Sequence, residues 1–350
     1  MMINRNKEHR PLSLPRTVAI ELTYQCNHAC VFCSCPWYFS GNKYPLKPEL
    51  STQQWFTAID ILYQIGIDTF SISGGEALLK EGLLDILAHI REQGRRRGLH
   101  NEIVLISNGR AMTHGFLQAF KELDIHLSMS LPGYESFKYH TGVDNADGVL
   151  YWFKQAQRMG LSTTLNVTAT KRNLYELFRT IALGIINGAG DVLLNRFLPG
   201  GRGLEHQKEL LLSVEEMNEA IGIAEEVLSH SDKYGSVGTE IAYCSIKEPE
   251  RFKHLNIGYR CAAARGFFVV DPAGQIRVCN HSPKVVGNIF AQPIITDVVY
   301  WNLFAKSSLS PVMCKSCSKQ SFCDCGCREV ASILNGSPSA PDITLFPTNS

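Results

Sequence analysis

Residues 17–33 read TVAIELTYQCNHACVFC. The opening seven, Thr17 to Thr23, are rich in β-branched and apolar side chains and predict a strand. Cysteines follow at once in the spacing C-x3-C-x2-C, at Cys26, Cys30 and Cys33. Thiolates suit iron–sulfur clusters because sulfur is a soft donor. Three thiols this close on one loop reach three corners of one cubane, which leaves the fourth iron without a protein ligand. An open metal position is where a substrate binds. A zinc site with Cys35 or His28 as fourth ligand competes, but zinc cysteines usually come as pairs repeated at a distance. Cys35 itself reads as a spare buried thiol.

Outward from that stretch, strand and helix alternate. Residues 51–66 put Trp55, Ile59, Leu62 and Ile65 on one helical face, with Ser51 placed to cap it. Residues 68–73 (DTFSIS) predict a second strand that runs into Gly74-Gly75. Further helices are expected over 83–95, 114–122, 148–159 and 174–187, and strands over 102–106, 126–130, 163–168 and 191–197. About six such units predict a parallel sheet with helices outside it, as a barrel or a doubly wound sheet. Ser107-Asn108-Gly109, Pro132-Gly133 and Pro199-Gly200-Gly201 punctuate the strand ends. In both architectures ligands bind at that edge.

Beyond Gly203 the alternation stops. Residues 213–229 predict one helix, with Ser213 and Glu216 at capping-box spacing. Three segments result: a lead-in over 1–16, a barrel with a bridging helix over 17–235, and a cysteine-bearing region over 236–350. The last dozen residues, 339–350, are expected to be loosely ordered.

With 45% hydrophobic and 19% charged residues in 350, the chain has an ordinary globular profile and enough length for a sizeable core. A net charge of +1 offers no field to draw nucleic acid or anionic membrane. The short run Arg95-Arg96-Arg97 reads as a solvated helix end. There is no apolar stretch of membrane-spanning length, and the opening MMINRNKEHR lacks the apolar run of a secretory signal. A cytoplasmic location, where thiols stay reduced, is the expectation. Twelve clustered cysteines then point to metal rather than to disulfides.

The Cys26–Cys33 spacing, with the aromatic Phe32 before the last cysteine, resembles the signature of the radical S-adenosylmethionine (SAM) superfamily. Ser73-Gly74-Gly75-Glu76 at the next strand end is similar to that family's Gly-Gly-Glu-Pro, with Ala77 in place of proline. The substitution frees one φ but keeps the acceptors. The resemblance implies a [4Fe–4S] cluster on Cys26, Cys30 and Cys33, and SAM held by Gly74, Gly75 and Glu76. Looser matches imply further SAM contacts at Ser107, Asn108, Ser130, Asn166 (or Thr168) and Arg196, the last beside Asn195 and the 199–202 loop. The resemblance covers residues 17–203. It implies an α/β fold, a partial (β/α)6 TIM-like barrel with SAM across its open top.

Cys261, Gly274-x4-Cys279 and Cys314-x2-Cys317-x5-Cys323-x3-Cys327 resemble the SPASM domain, a small cysteine-rich α+β module that carries auxiliary clusters. Six of that pattern's seven cysteines match, and no cysteine follows Cys327. The resemblance implies an inner cluster on Cys261, Cys279 and Cys327, with Cys244 as fourth ligand. It implies an outer one on Cys314, Cys317 and Cys323, completed by Cys325, Asp342 or solvent. A two-site zinc ribbon is the alternative for this array.

The chemistry implied is reductive cleavage of SAM to a 5′-deoxyadenosyl radical, which abstracts hydrogen from a substrate. For SPASM enzymes that substrate is mostly a ribosomally made peptide or a protein. A sulfatase-maturase type of oxidation fits less well, because Asn280 stands where those enzymes carry an aspartate base. Asp271 and His281 are the nearby candidate bases. A small metabolite or tetrapyrrole is another substrate class, and a non-catalytic iron–sulfur carrier a different kind of protein. The expected partners are a reductant such as flavodoxin or ferredoxin and a separate leader-peptide-binding protein, since only 16 residues precede the first strand.

Overall fold

A computed structural model describes residues 14–41, 44–306, 309–342 and 344–345. Most of the expected 1–16 lead-in lies outside the described residues. Eleven strands form one sheet: β1 (Thr17–Glu21), β2 (Thr69–Ser73), β3 (Glu102–Ser107), β4 (His126–Ser130), β5 (Thr163–Ala169), β6 (Asp191–Arg196), β7 (Gly235–Val237), β8 (Leu255–Ile257), β9 (Phe267–Val270), β10 (Gln275–Arg277) and β11 (Val285–Asn288). Their order across the sheet is β11-β10-β9-β1-β2-β3-β4-β5-β6-β7-β8. All neighbours from β9 to β8 are parallel, and β10 and β11 run antiparallel.

The parallel strands are apolar because helices cover their outer face and the centre is filled. Val18, Ile20, Phe70, Ile72, Leu105, Leu127 and Leu165 are fully enclosed. The covering helices include Thr52–Gln64, Leu83–Arg96, His114–Glu122, Ala146–Met159, Leu177–Ile186 and Val214–Ser231. Each predicted helix is present within a few residues. Ser51 with Gln54, and Ser213 with Glu216, form complete capping boxes.

Two features depart from the expectation. The alternation continues beyond Gly203. Helix Val214–Ser231 crosses over to β7, so the sheet runs through the boundary expected at 235/236. β7 and β8 were invisible in the sequence because each has only three residues. The tail is also better held than expected up to Leu345. Asp342, Thr344 and Leu345 are buried; residues 346–350 lie outside the described set.

The carboxyl ends of β1 to β7 line a single cavity of about 480 Å³. Strands spread across a flat sheet would not share one cavity, so the sheet curls into an open barrel.

Candidate functional site

The site is built where β1 and β2 end. Beyond the strands the two chains stay paired: Leu22 N–H donates to Ser73 O (2.9 Å), Gly75 N–H to Thr23 O (2.7 Å) and Glu76 N–H to Gln25 O (2.7 Å). Only glycine permits this approach. A Cβ on Gly75 would lie 2.1 Å from Gln25 O, and Gly74 has φ +142°. The Gly-Gly pair therefore seats the start of the cysteine loop directly on the end of β2. The buried Glu76 carboxylate links β2 to β3, accepting from Leu78 N–H (3.0 Å), Ser107 Oγ (2.8 Å) and Asn108 N–H (2.7 Å). A carboxylate has about four acceptor positions, so one remains for a ligand.

The loop itself is fixed through its backbone. Ala29 N–H donates to Thr141 O (2.9 Å) and Val31 N–H to His140 O (3.0 Å). From the other side the 199–203 loop closes in. Gly203 N–H donates to Cys33 O (3.0 Å), Arg202 Nη1 donates to Cys30 O (3.1 Å), and a Cβ on Gly201 would sit 2.4 Å from Cys35 O. Burial pushes the Cys26 and Cys30 thiols up, while the guanidinium of Arg202 pulls the other way on both. Cys33 is held below its usual range, chiefly by a hydrogen bond with Cys35. Cys35 is thus a neighbour of the triad, with its sulfur 4.0 Å from Gly74 O.

All three loop cysteines line the cavity, together with Gly74, Gly75, Glu76, Ser107, Asn108, Ser130, Asn166 and Thr168. The cavity is within the usual range of small-molecule sites, about 300–1,000 Å³. Its wall also holds His28, whose Nε2 is buried without a partner and whose pKa is lowered to about 4 by burial and Arg110. Three soft thiols, a glycine cradle and an orphaned donor–acceptor atom fit an iron–sulfur cluster with an organic co-ligand. Arg196 departs from the sequence expectation. It borders the cavity, but its guanidinium is turned to the tail: Nη2 bonds Asp342 Oδ2 (2.7 Å) and Nη1 bonds Thr344 Oγ1 (2.6 Å). A charged group enclosed this deeply needs a carboxylate partner, and the tail supplies one.

The C-terminal cysteines divide into two groups. Cys261, Cys279 and Cys327 line the same cavity as the loop triad. Cys314, Cys317, Cys323 and Cys325 lie apart, with Cys325 Sγ donating to Cys314 Sγ (2.7 Å). Cys244 is placed with this outer group and not with the inner one. The N–H of its neighbour Tyr243 donates to Cys323 Sγ (3.4 Å), and the thiols that act on Cys244 are Cys323, Cys314 and Cys317. The turn Tyr243–Ser245 lands there because Tyr243 packs edge-on against Tyr259 and Phe322. Asp342, a sequence candidate for the outer site, stands instead at the inner one, where it accepts from Cys327 N–H (2.8 Å).

Between the loop triad and the inner thiols lies a buried ion pair of Glu21, at the end of β1, and Arg277 in β10. Arg277 also donates to Ser282 O (2.8 Å) and Asn280 O (3.0 Å), and Asn280 Nδ2 donates to Glu21 Oε1 (3.2 Å). The candidate bases fare poorly. Asp271 is fully buried away from the cavity and accepts from Tyr44 Oη (2.7 Å) and Gln275 Nε2 (2.9 Å). His281 borders the cavity, but burial lowers its pKa to about 4 and its Nε2 is bonded to Pro199 O (2.8 Å). Sequence reasoning missed Glu21, Glu240 and Glu329 as wall residues. A charged residue inside an apolar strand, as at Glu21, was the available signal.

Residues 20–181 match the Radical SAM superfamily. The PqqA peptide cyclase of Bradyrhizobium diazoefficiens is 22% identical, over 98% of this chain and 89% of its own length. The mycofactocin maturase MftC of Mycolicibacterium smegmatis is 25% identical, over 95% of this chain and 83% of its own. Among solved structures, Streptococcus suis SuiB bound to its precursor peptide SuiA superposes with a TM-score of 0.71 at 16% identity, covering 96% of this chain and 76% of SuiB. The α/β fold with a parallel sheet, expected from the sequence as a partial barrel, is thus shared with that solved structure.

Proposed function

We propose that this chain, which carries a radical SAM domain, is an enzyme that modifies a ribosomally made peptide by hydrogen abstraction and crosslinking or related oxidation. One observation carries the proposal. The Cys26–Cys33 loop, the Gly74-Gly75-Glu76 strand end and three C-terminal thiols face one cavity. The peptide substrate class is supported by the names of the relatives and by the peptide-bound state of SuiB.

Cys26, Cys30 and Cys33 would hold the SAM-binding cluster. When bound, cluster and SAM would supply a 5′-deoxyadenosyl radical to the substrate. The chain's own residues prepare the place. Gly74 and Gly75 bring bare backbone to the ligand, and Glu76 keeps an acceptor free for an ammonium group. Asn108, Ser130 and Asn166 offer hydroxyl and amide groups along the strand ends for a ribose or base, while the Ser107 hydroxyl is taken up by Glu76. The barrel wall would limit the access of water and stray hydrogen donors to a reactive radical.

Cys261, Cys279 and Cys327 would hold an inner auxiliary cluster, and Cys244, Cys314, Cys317 and Cys323 an outer one. Cys325, whose Sγ lies 2.7 Å from Cys314 Sγ, stands beside this set as the competing fourth donor. The chain would draw electrons from a reductant such as flavodoxin or ferredoxin and work with a separate leader-binding protein. Its twelve free cysteines suit the reducing cytoplasm. Among the described residues no helix is long and apolar enough to cross a membrane.

The test is anaerobic co-expression with peptides encoded beside the gene. A peptide mass lowered by two hydrogen atoms supports a crosslink. Unchanged peptides, alongside turnover of a small metabolite, would replace the peptide proposal.

A further inference from the structure

The inner site has three thiols and, with Cys244 in the outer group, no fourth cysteine. We infer that the Glu240 carboxylate completes it, so that the inner cluster is held by Cys261, Cys279, Cys327 and one oxygen donor. The inference rests on the reading of those cysteines as cluster ligands.

Glu240 lines the same cavity as all three thiols. Of the charged groups it acts most strongly on Cys261 and Cys327, and it acts on Cys279 as well. Its backbone is fixed on both sides. Gly238 N–H donates to Leu194 O (2.9 Å), Thr239 Oγ1 accepts from Arg196 N–H (3.1 Å), and Glu240 O accepts from Arg196 Nη2 (3.2 Å). The same arginine is bound to Asp342, which holds Cys327 N–H. One small network therefore positions Glu240 and Cys327 together.

Among the described residues nothing bonds the Glu240 carboxylate, whereas the other carboxylates nearby are engaged. Glu329 accepts from Tyr300 Oη (2.8 Å), Asp324 from Cys261 N–H (2.9 Å) and Asp342 from Arg196, Cys327 and Thr344. A free carboxylate on the same cavity wall as these three thiols is the donor the site lacks. Oxygen ligation changes donor type and charge at the cluster, and both set its potential.

The test uses reconstituted full-length protein carrying Cys26→Ala, Cys30→Ala and Cys33→Ala, which leaves only auxiliary clusters in the spectrum. Into this background go Glu240→Gln and Glu240→Cys. Iron content, the electron paramagnetic resonance (EPR) signals of the reduced protein and their midpoint potentials are read. The inference predicts that Glu240→Gln shifts the inner signal and potential or loses that cluster. Glu240→Cys should retain full auxiliary iron and give the inner cluster a new, four-thiolate signal. Two variants indistinguishable from their parent would overturn it. Cys261→Ala in the same background should remove one cluster; if it left iron unchanged, the cysteine assignment itself would fail, and the inference with it.

Discussion

The two cysteine regions of this molecule are assembled by opposite means. The loop Cys26 to Cys33 is one short segment, set on a glycine pair and gripped by backbone hydrogen bonds from 140–141 and 203. Its three thiols act together because they are neighbours in sequence. The C-terminal thiols are interleaved. Cys323 and Cys325 face the outer group, Cys327 faces the central cavity, and Cys244 comes to the outer group from some 70 residues or more away. Local spacing is enough to build a site from one loop. A site assembled by topology needs the fold before its membership can be read.

The sharpest way to break that contrast is to remove the loop thiols. Cys26→Ala with Cys30→Ala and Cys33→Ala should abolish 5′-deoxyadenosine formation and lose about one cluster of three. Loss of all iron would show that the two regions are one site. Next in size, Gly75→Ala forces a Cβ against Gln25 O. Misplacing the loop by about 1 Å should cost on the order of 100-fold in SAM cleavage, with iron largely retained. Wild-type rates would mean that the cradle does not position the loop.

Within the C-terminal region, Cys244→Ser should lose the outer cluster and spare the inner EPR signal, whereas Cys325→Ser should keep both. The reverse pattern would return Cys325 to the ligand set. Glu21→Gln leaves Arg277 buried without its partner between the two regions, at a cost of about 3–5 kcal/mol in denaturant unfolding. Ser213→Ala removes a helix cap remote from either region and should cost about 1 kcal/mol with iron content unchanged.

Much of this was legible in the sequence. Helix periodicity and strand–glycine punctuation located six parallel strands and their helices, because burial on one face dictates a repeat. The loop triad and the Gly-Gly-Glu strand end were legible because their chemistry depends on adjacent residues. Less legible was anything decided by long-range packing. β7 and β8 are too short to announce themselves. Arg196 looked like a ligand contact at a strand end, but Asp342 and Thr344 of the tail claim its guanidinium. The tail's Pro-rich composition concealed that role. Cys244 precedes Cys261 in sequence and was grouped with it, whereas the aromatic packing of Tyr243 carries it to Cys323.

The central claim is that the Cys26–Cys33 loop and the β2 end form a site for reductive SAM cleavage. Reconstituted protein should be reduced anaerobically with SAM and assayed for 5′-deoxyadenosine. The account predicts its formation by the wild type and none by the loop triple variant. A fully iron-loaded wild-type protein that forms no 5′-deoxyadenosine, with or without peptide, would contradict it.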